Sequence, residues 1–99
     1  MRSIIQDKKE CYLCRYLDGK EETVCLEDHH LFGAYNRKWS EKYGLKVWLC
    51  IEHHREGKEA VHRNKLVMDH MHQVGQIAFE KNHTREEFLN VFGRNYLDL

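Results

Sequence analysis

Apolar side chains recur every three to four residues in the second half of the chain, as they do along one face of a helix. This spacing predicts an amphipathic helix over 64–82 that buries one stripe of side chains. The apolar positions expected to face the core are Leu66, Val67, Met71, Val74, Ile77, Ala78 and Phe79.

Capping residues predict a second helix after this one. Thr84 is followed three residues later by Glu87, which is the arrangement of a capping box at a helix N-terminus. We expect the helix to stop at Gly93, because glycine commonly ends helices. The remaining tail is expected to pack back through Tyr96 and Leu97.

The first half of the chain predicts two short strands. The stretch 23–32 has β-branched and aromatic character and ends at Gly33. The stretch 45–50 first alternates apolar and polar residues and then becomes apolar. A short turn of helix is expected at 40–43, and Cys25 is expected to be a small buried residue of the first strand.

The chain is short, at 99 residues, and no proline, repeat or low-complexity linker divides it. We therefore expect one α+β domain over 1–99, in which a bound metal would usefully supplement a small core. The sequence has no apolar run of about 18 residues and no secretory apolar stretch at its start. A soluble, cytoplasmic protein is expected.

Cysteine and histidine residues form two pairs of equal spacing. Two residues separate Cys11 from Cys14, and two residues separate Cys50 from His53. Thiolates and imidazoles are the preferred ligands of zinc, and two such pairs can complete a closed tetrahedral site. We expect a structural zinc at these four residues. Two alternatives stay open, namely that one pair is simply buried cysteine and that Cys25 replaces His53 as the fourth ligand.

Other histidines remain for different chemistry. Neighbouring strand residues point to opposite faces, so His29 and His30 cannot easily bind one ion through both rings. One ring could hold an ion while the other accepts a proton from water. His54 follows a zinc ligand on a predicted helical turn and can therefore face a second site. His62 lies near enough in sequence to approach that site, and the alternative is that these are ordinary surface histidines.

Charge is distributed unevenly although the formal net charge is zero. Residues 35–65 carry eight basic side chains against four acidic ones, whereas the segments before and after are each net negative. A basic middle is compatible with phosphate contact in one place. It is equally compatible with an ordinary solvated surface.

The order of these residues resembles that of the zinc-stabilised HNH endonucleases, also called His-Me finger or ββα-metal nucleases. The resemblance covers roughly 11–62 and rests on Cys-x-x-Cys, then Asp-His-His-Leu-Phe at a strand end, then Cys-x-x-His-His. It is similar to small proteins of this type carried by bacteriophages and prophages. The resemblance implies a zinc-stabilised, treble-clef-like ββα-metal core over 11–62, a helical C-terminal extension over 64–99, and cleavage of DNA phosphodiester bonds in a bacterial host cell.

The same resemblance implies roles for individual residues. His30 would be the general base, and His29 and His54 would bind a catalytic Mg²⁺, Mn²⁺ or other divalent ion. In the alternative assignment Asp28 is the ligand and His29 is the base. The family usually places an asparagine near position 44, where this chain has none, and Asn36 is the nearest candidate for that role.

Basic residues near this centre are candidates for binding phosphate, namely Arg37, Lys38 and Arg55. The implied partner is DNA, and phage packaging or recombination proteins are further candidates. A second hypothesis is a catalytically inactive, zinc-stabilised module that binds nucleic acid or protein on the same scaffold.

Overall fold

The computed structural model describes residues 2–97, which form a small α+β fold. In chain order the elements are α1 (Tyr12–Asp18), β1 (Leu26–His30), a 3₁₀ turn (Ala34–Asn36), α2 (Arg37–Tyr43), β2 (Lys46–Cys50), a π-helical turn (Glu52–Glu56), α3 (Lys65–Phe79) and α4 (Arg85–Phe92). The expected α+β class, the two strands and the last two helices are confirmed.

The sheet consists of β1 and β2 paired antiparallel. Its register sets Leu26 opposite Cys50 and His30 opposite Lys46. β1 begins at Leu26, later than the predicted 23–32 segment, and Cys25 precedes it as an exposed residue with φ 55°. The prediction that Cys25 is buried in a strand is therefore wrong, because this residue turns the chain into β1.

Side chains cap both of the last two helices, and the capping box predicted for the second of them is confirmed. Asn64 caps α3 by accepting from the backbone N–H groups of Leu66 and Val67. Thr84 and Glu87 form the expected capping box at the start of α4, which ends before Gly93. Such caps can be recognised in the sequence because each joins groups that are only two or three residues apart.

The buried stripe of α3 differs from the predicted one. Leu66 is 79% exposed and Ile77 is 52% exposed, so both predictions of burial are wrong. The stripe instead includes Gly75, where a Cβ would lie 2.7 Å from Phe32 Cε2, and Gln76. The Gln76 amide tolerates full burial because it is hydrogen-bonded to Glu80, Asn95 and the backbone of Tyr96.

One hydrophobic cluster joins the sheet to the helices and holds the end of β1 in place. Phe32 lies just beyond β1, and its ring contacts those of Phe88, Phe92 and Tyr96 at centroid distances of 5.5, 4.6 and 5.5 Å. Tyr96 therefore packs back as expected, whereas residues 98 and 99 of the tail lie outside the described residues. The core fixes the strand end that carries the paired histidines.

Within residues 2–97, no helix combines the length and the apolar character needed to cross a membrane.

Candidate metal centres

The first cluster gathers the two predicted ligand pairs from three elements. Cys11 caps α1, and its Sγ accepts a hydrogen bond from the backbone N–H of Cys14 at 3.4 Å. Cys50 is the last residue of β2, and His53 lies on the π-helical turn that follows. All four potential donor atoms lie within 4.8 Å of one another, so the group could bind a metal such as zinc.

The spacing of these donor atoms suits tetrahedral coordination. His53 Nδ1 lies 3.6, 3.3 and 3.4 Å from the Sγ atoms of Cys11, Cys14 and Cys50. The Cys14 and Cys50 sulfurs are 3.8 Å apart. A tetrahedral zinc with ordinary bond lengths sets sulfur atoms about 3.8 Å apart and sulfur and nitrogen about 3.6 Å apart. The exposed Cys25 is not part of this group.

Burial makes these thiols hard to ionise without a cation. It is the main cause that raises the pKa of the Cys14 thiol, and it also raises the pKa of Cys50. Thiolate is the form that binds metal, so a bound cation would offset the cost of burying negative charge here.

A second cluster consists of three imidazoles. His29 comes from β1, His54 from the π-helical turn and His62 from the loop that leads to α3. Hydrogen bonds from the backbone N–H of Val61 to the His53 carbonyl and from that of His62 to the His54 carbonyl fold this loop back. The ring centroids lie 4.8 to 5.3 Å apart. The structure thus brings together the two expected ligands, His29 and His54, and adds His62.

The three potential ligand nitrogens of this cluster lie within 4.8 Å of one another, and one pair has the spacing of two ligands on one ion. His54 Nε2 lies 3.2 Å from His62 Nε2. Two imidazole nitrogens on one ion, each at about 2.1 Å, lie about 3.0–3.4 Å apart for bond angles between square and tetrahedral. His29 is 4% exposed, and its Nε2 has no hydrogen-bond partner. Buried polar atoms are normally paired, and this nitrogen belongs to a ring that packs beside two further imidazoles, so it is available to bind an ion shared with them.

Electrostatics keep the buried imidazole neutral. Burial, aided by the nearby His54 and His62, lowers the pKa of His29 to about 3. Its ring is therefore uncharged at neutral pH, which is the form that binds a metal.

Glu27 orients one ring of the imidazole cluster. Its Oε1 accepts a hydrogen bond from His54 Nδ1 at 2.8 Å, and Arg55 binds both carboxylate oxygens at 3.1 and 3.0 Å. Hydrogen bonds from Arg55 and, second, from His54 lower the pKa of Glu27 to about 2, so its side chain is ionised. The carboxylate therefore accepts a hydrogen bond from a protonated Nδ1 of His54. This leaves the lone pair of His54 on Nε2, which faces His62.

Replacing Glu27 with alanine should weaken binding of a divalent ion to the imidazole cluster about 10- to 100-fold, because the His54 ring loses its anchor. Glu27→Gln should recover part of this loss, since an amide oxygen can still accept from Nδ1. Titration of the zinc-loaded protein with Co²⁺ or Mn²⁺ measures both effects. Glu86→Ala, at an exposed glutamate of α4, is the control. Equal affinity for all variants would contradict the role of Glu27.

Asp28 and His30 lie with Glu41 in a separate group, on the other face of β1 from His29. His30 Nε2 is 2.8 Å from Glu41 Oε1. Lys46, which is 3% exposed, donates to both Glu41 oxygens at 2.8 Å and lies 3.8 Å from Asp28. The Lys46 ammonium thus already balances the charge of this group. The structure does not bring Asp28 to His29 and His54.

The remaining predicted site residues lie in three different places. Arg37 and Lys38 are exposed at the start of α2 and line a pocket with His30. Arg55 is bound to Glu27 beside the imidazole cluster. Asn36 donates from Nδ2 to the Phe92 carbonyl at 3.3 Å, which ties it to α4.

The sequence pattern did not indicate two carboxylates that hydrogen-bond to the histidines. Glu27 and Glu41 bind His54 and His30 across separations of 27 and 11 residues. Glutamates are common on surfaces, and these two contacts depend on how α2 and the π-helical turn pack beside β1, so the local sequence could not select them.

Comparisons of the chain with known protein families, with curated proteins and with solved structures found no match.

Proposed function

We propose that this protein is a metal-dependent DNA endonuclease of the HNH type, with a structural zinc and a separate catalytic ion. The orphaned Nε2 of the buried His29, facing His54 and His62, is the observation that carries the proposal. A ββα-metal core is consistent with the order of β1, β2 and the π-helical turn that follows them.

The two clusters differ in the ions that they suit. Three thiols and one imidazole favour a closed zinc site, which stabilises a fold without taking part in chemistry. Three imidazoles suit Zn²⁺, Ni²⁺ or another transition ion better than Mg²⁺, and three ligands leave positions open for water and phosphate. An ion held by His29, His54 and His62 would supply positive charge that stabilises a phosphodiester as it is attacked.

His30 is the proposed general base. If its Nε2–H donates to Glu41, the lone pair of the ring lies on Nδ1, which can accept a proton from water. The Glu41 carboxylate would then stabilise the imidazolium that forms. Its hydrogen bonds with Lys46 and, second, with His30 lower the pKa of Glu41 to about 2, so it remains ionised for this task.

The substrate would lie across the carboxyl end of β1. His29 and His30 are adjacent there but leave the strand on opposite faces. A phosphodiester at the strand end could approach the imidazole cluster on one side and His30 on the other. Arg37 and Lys38, which share a pocket with His30, are the proposed phosphate contacts.

Plasmid nicking in the presence of Mn²⁺, Ni²⁺ or Mg²⁺ tests the role of His30. We expect His30→Ala to nick about 10²- to 10⁴-fold more slowly than the native protein, which is the usual contribution of a general base. The control is His70→Ala, on α3 and outside all three clusters. Equal nicking by His30→Ala and the native protein would remove the proposed base.

A noncatalytic binding module is the second candidate. The contact of Asn36 with Phe92 favours it, because this asparagine is engaged by α4 and does not contact a histidine of the site. Nicking by neither the native protein nor any variant, with every divalent ion tried, would support the module over the nuclease. Its partners would be nucleic acid or proteins of a phage packaging or recombination assembly.

A further inference from the structure

The turn between β1 and α2 presents an aromatic ring flanked by cations. Tyr35 is 78% exposed. Lys38 Nζ lies 4.8 Å from the Tyr35 ring centroid and 5.1 Å from that of Trp39. Lys42 continues the series at 5.5 Å from Trp39. Proteins that bind single-stranded nucleic acids combine aromatic rings, on which the bases stack, with basic side chains that contact the backbone.

The backbone holds Tyr35 outward at some conformational cost. Ala34 has φ 50°, a value that residues with a Cβ rarely adopt. Both Ala34 and Tyr35 are exposed, so burial of these side chains does not explain the conformation. Strain of this kind concentrates where a side chain must be presented to a ligand.

A pocket of about 400 Å³ adjoins this ring and reaches His30. Its lining residues are His30, Ala34, Tyr35, Arg37, Lys38 and Glu41. The charge of Glu41 is offset by Lys46, which binds both its oxygens. Arg37 and Lys38 therefore make the pocket favourable for an anion, and its volume falls within the range of small-ligand sites.

We propose that this pocket binds one unpaired nucleotide beside the scissile phosphate, with its base stacked on Tyr35 and its phosphate held by Arg37 and Lys38. Lys38 lies over one face of the tyrosine ring, and the high exposure of Tyr35 leaves the other face for a base. Bases of an intact duplex are already stacked on each other, so the pocket selects a single-stranded flank. The inference rests on the proposed nuclease and adds a preference for substrate shape.

Binding to oligonucleotides, measured by fluorescence anisotropy without added divalent ion, tests the pocket separately from cleavage. The zinc-loaded full chain is titrated against a labelled thymidine dodecamer and against a duplex of equal length. We expect Tyr35→Ala to bind the single strand about 5- to 150-fold more weakly, because one base–aromatic stack is lost. Tyr35→Phe should bind within about twofold of the native protein, since its ring can still stack.

Tyr16→Ala is the matched control, because Tyr16 is also exposed, at 58%, but belongs to α1. It should bind both nucleic acids as the native protein does. Circular dichroism and zinc content confirm that each variant is folded. The proposal is overturned if Tyr35→Ala binds the single strand like the native protein, or if it loses single-strand and duplex binding equally.

The outcomes separate this inference from the nuclease proposal. Tyr35-dependent binding of the single strand, combined with no cleavage under any divalent ion, would support the pocket and remove the nuclease. Plasmid nicking with no effect of Tyr35→Ala on single-strand binding would support the nuclease and remove the pocket.

Discussion

Replacing Cys14 with serine is expected to unfold the protein at room temperature. The Cys14 side chain joins α1 to the end of β2 and the π-helical turn through the cluster with Cys50 and His53. Structural zinc contributes an apparent free energy of about 10–16 kcal/mol in zinc-finger peptides, whereas a whole domain is stable by only about 5–15 kcal/mol. Loss of the zinc should therefore remove most of the net stability. Circular dichroism and metal analysis measure the two effects together.

Cys25→Ser is the matched control for this variant. Cys25 is exposed and outside the metal cluster, so its substitution should change the free energy of unfolding by no more than about 0.5 kcal/mol. It should also leave about one tightly bound zinc per chain. A Cys14→Ser protein that retains its zinc and unfolds at the same temperature as the native protein would contradict the assignment of the site.

Replacing His54 with alanine is expected to abolish cleavage while the fold survives. The ring lies between Glu27 and His62 in the imidazole cluster and supplies no atom to the cysteine cluster. A catalytic ion contributes several kcal/mol of charge stabilisation, so nicking should fall by at least about 10²-fold. Plasmid nicking, thermal unfolding and zinc content are measured on the same sample.

The neighbouring residue gives the sharpest comparison. His53→Ala should lose zinc and unfold, because His53 Nδ1 contacts all three sulfurs of the cysteine cluster. His54→Ala should keep its zinc and its fold but lose cleavage. His62→Ala should behave in the same way. Loss of zinc from both adjacent variants would show that the two centres are not separate. Native cleavage by His54→Ala would contradict the role of His54 in cleavage.

Local spacing made the cysteine cluster predictable from the sequence. The two ligands of each pair, Cys11 with Cys14 and Cys50 with His53, are separated by only two residues. They therefore lie close together whatever the rest of the fold. The capping box of Thr84 and Glu87 and the glycine that ends α4 were predictable for the same reason. Adjacency also predicted that His54 can face a second site away from His53, and the resemblance to HNH nucleases implied that His29 shares that site.

Long-range placement was not predictable. His62 reaches the imidazole cluster only because the loop after the π-helical turn folds back on His53 and His54. The exposure of Leu66 and Ile77 follows from the close approach of α3 to Phe32 at Gly75, which turns other residues inward. Periodicity identifies a helix face, but the contacts of its neighbours decide which part of that face is buried.

Nicking of supercoiled plasmid by protein that carries one zinc per chain, before and after addition of a second divalent ion, tests the central claim most directly. The imidazole cluster of His29, His54 and His62 is the proposed site of the second ion. We predict no cleavage by the one-zinc protein and cleavage after about one further equivalent of Mn²⁺, Ni²⁺ or Zn²⁺. Undiminished cleavage by the one-zinc protein in the presence of a weak chelator, or none with any second ion, would contradict the account.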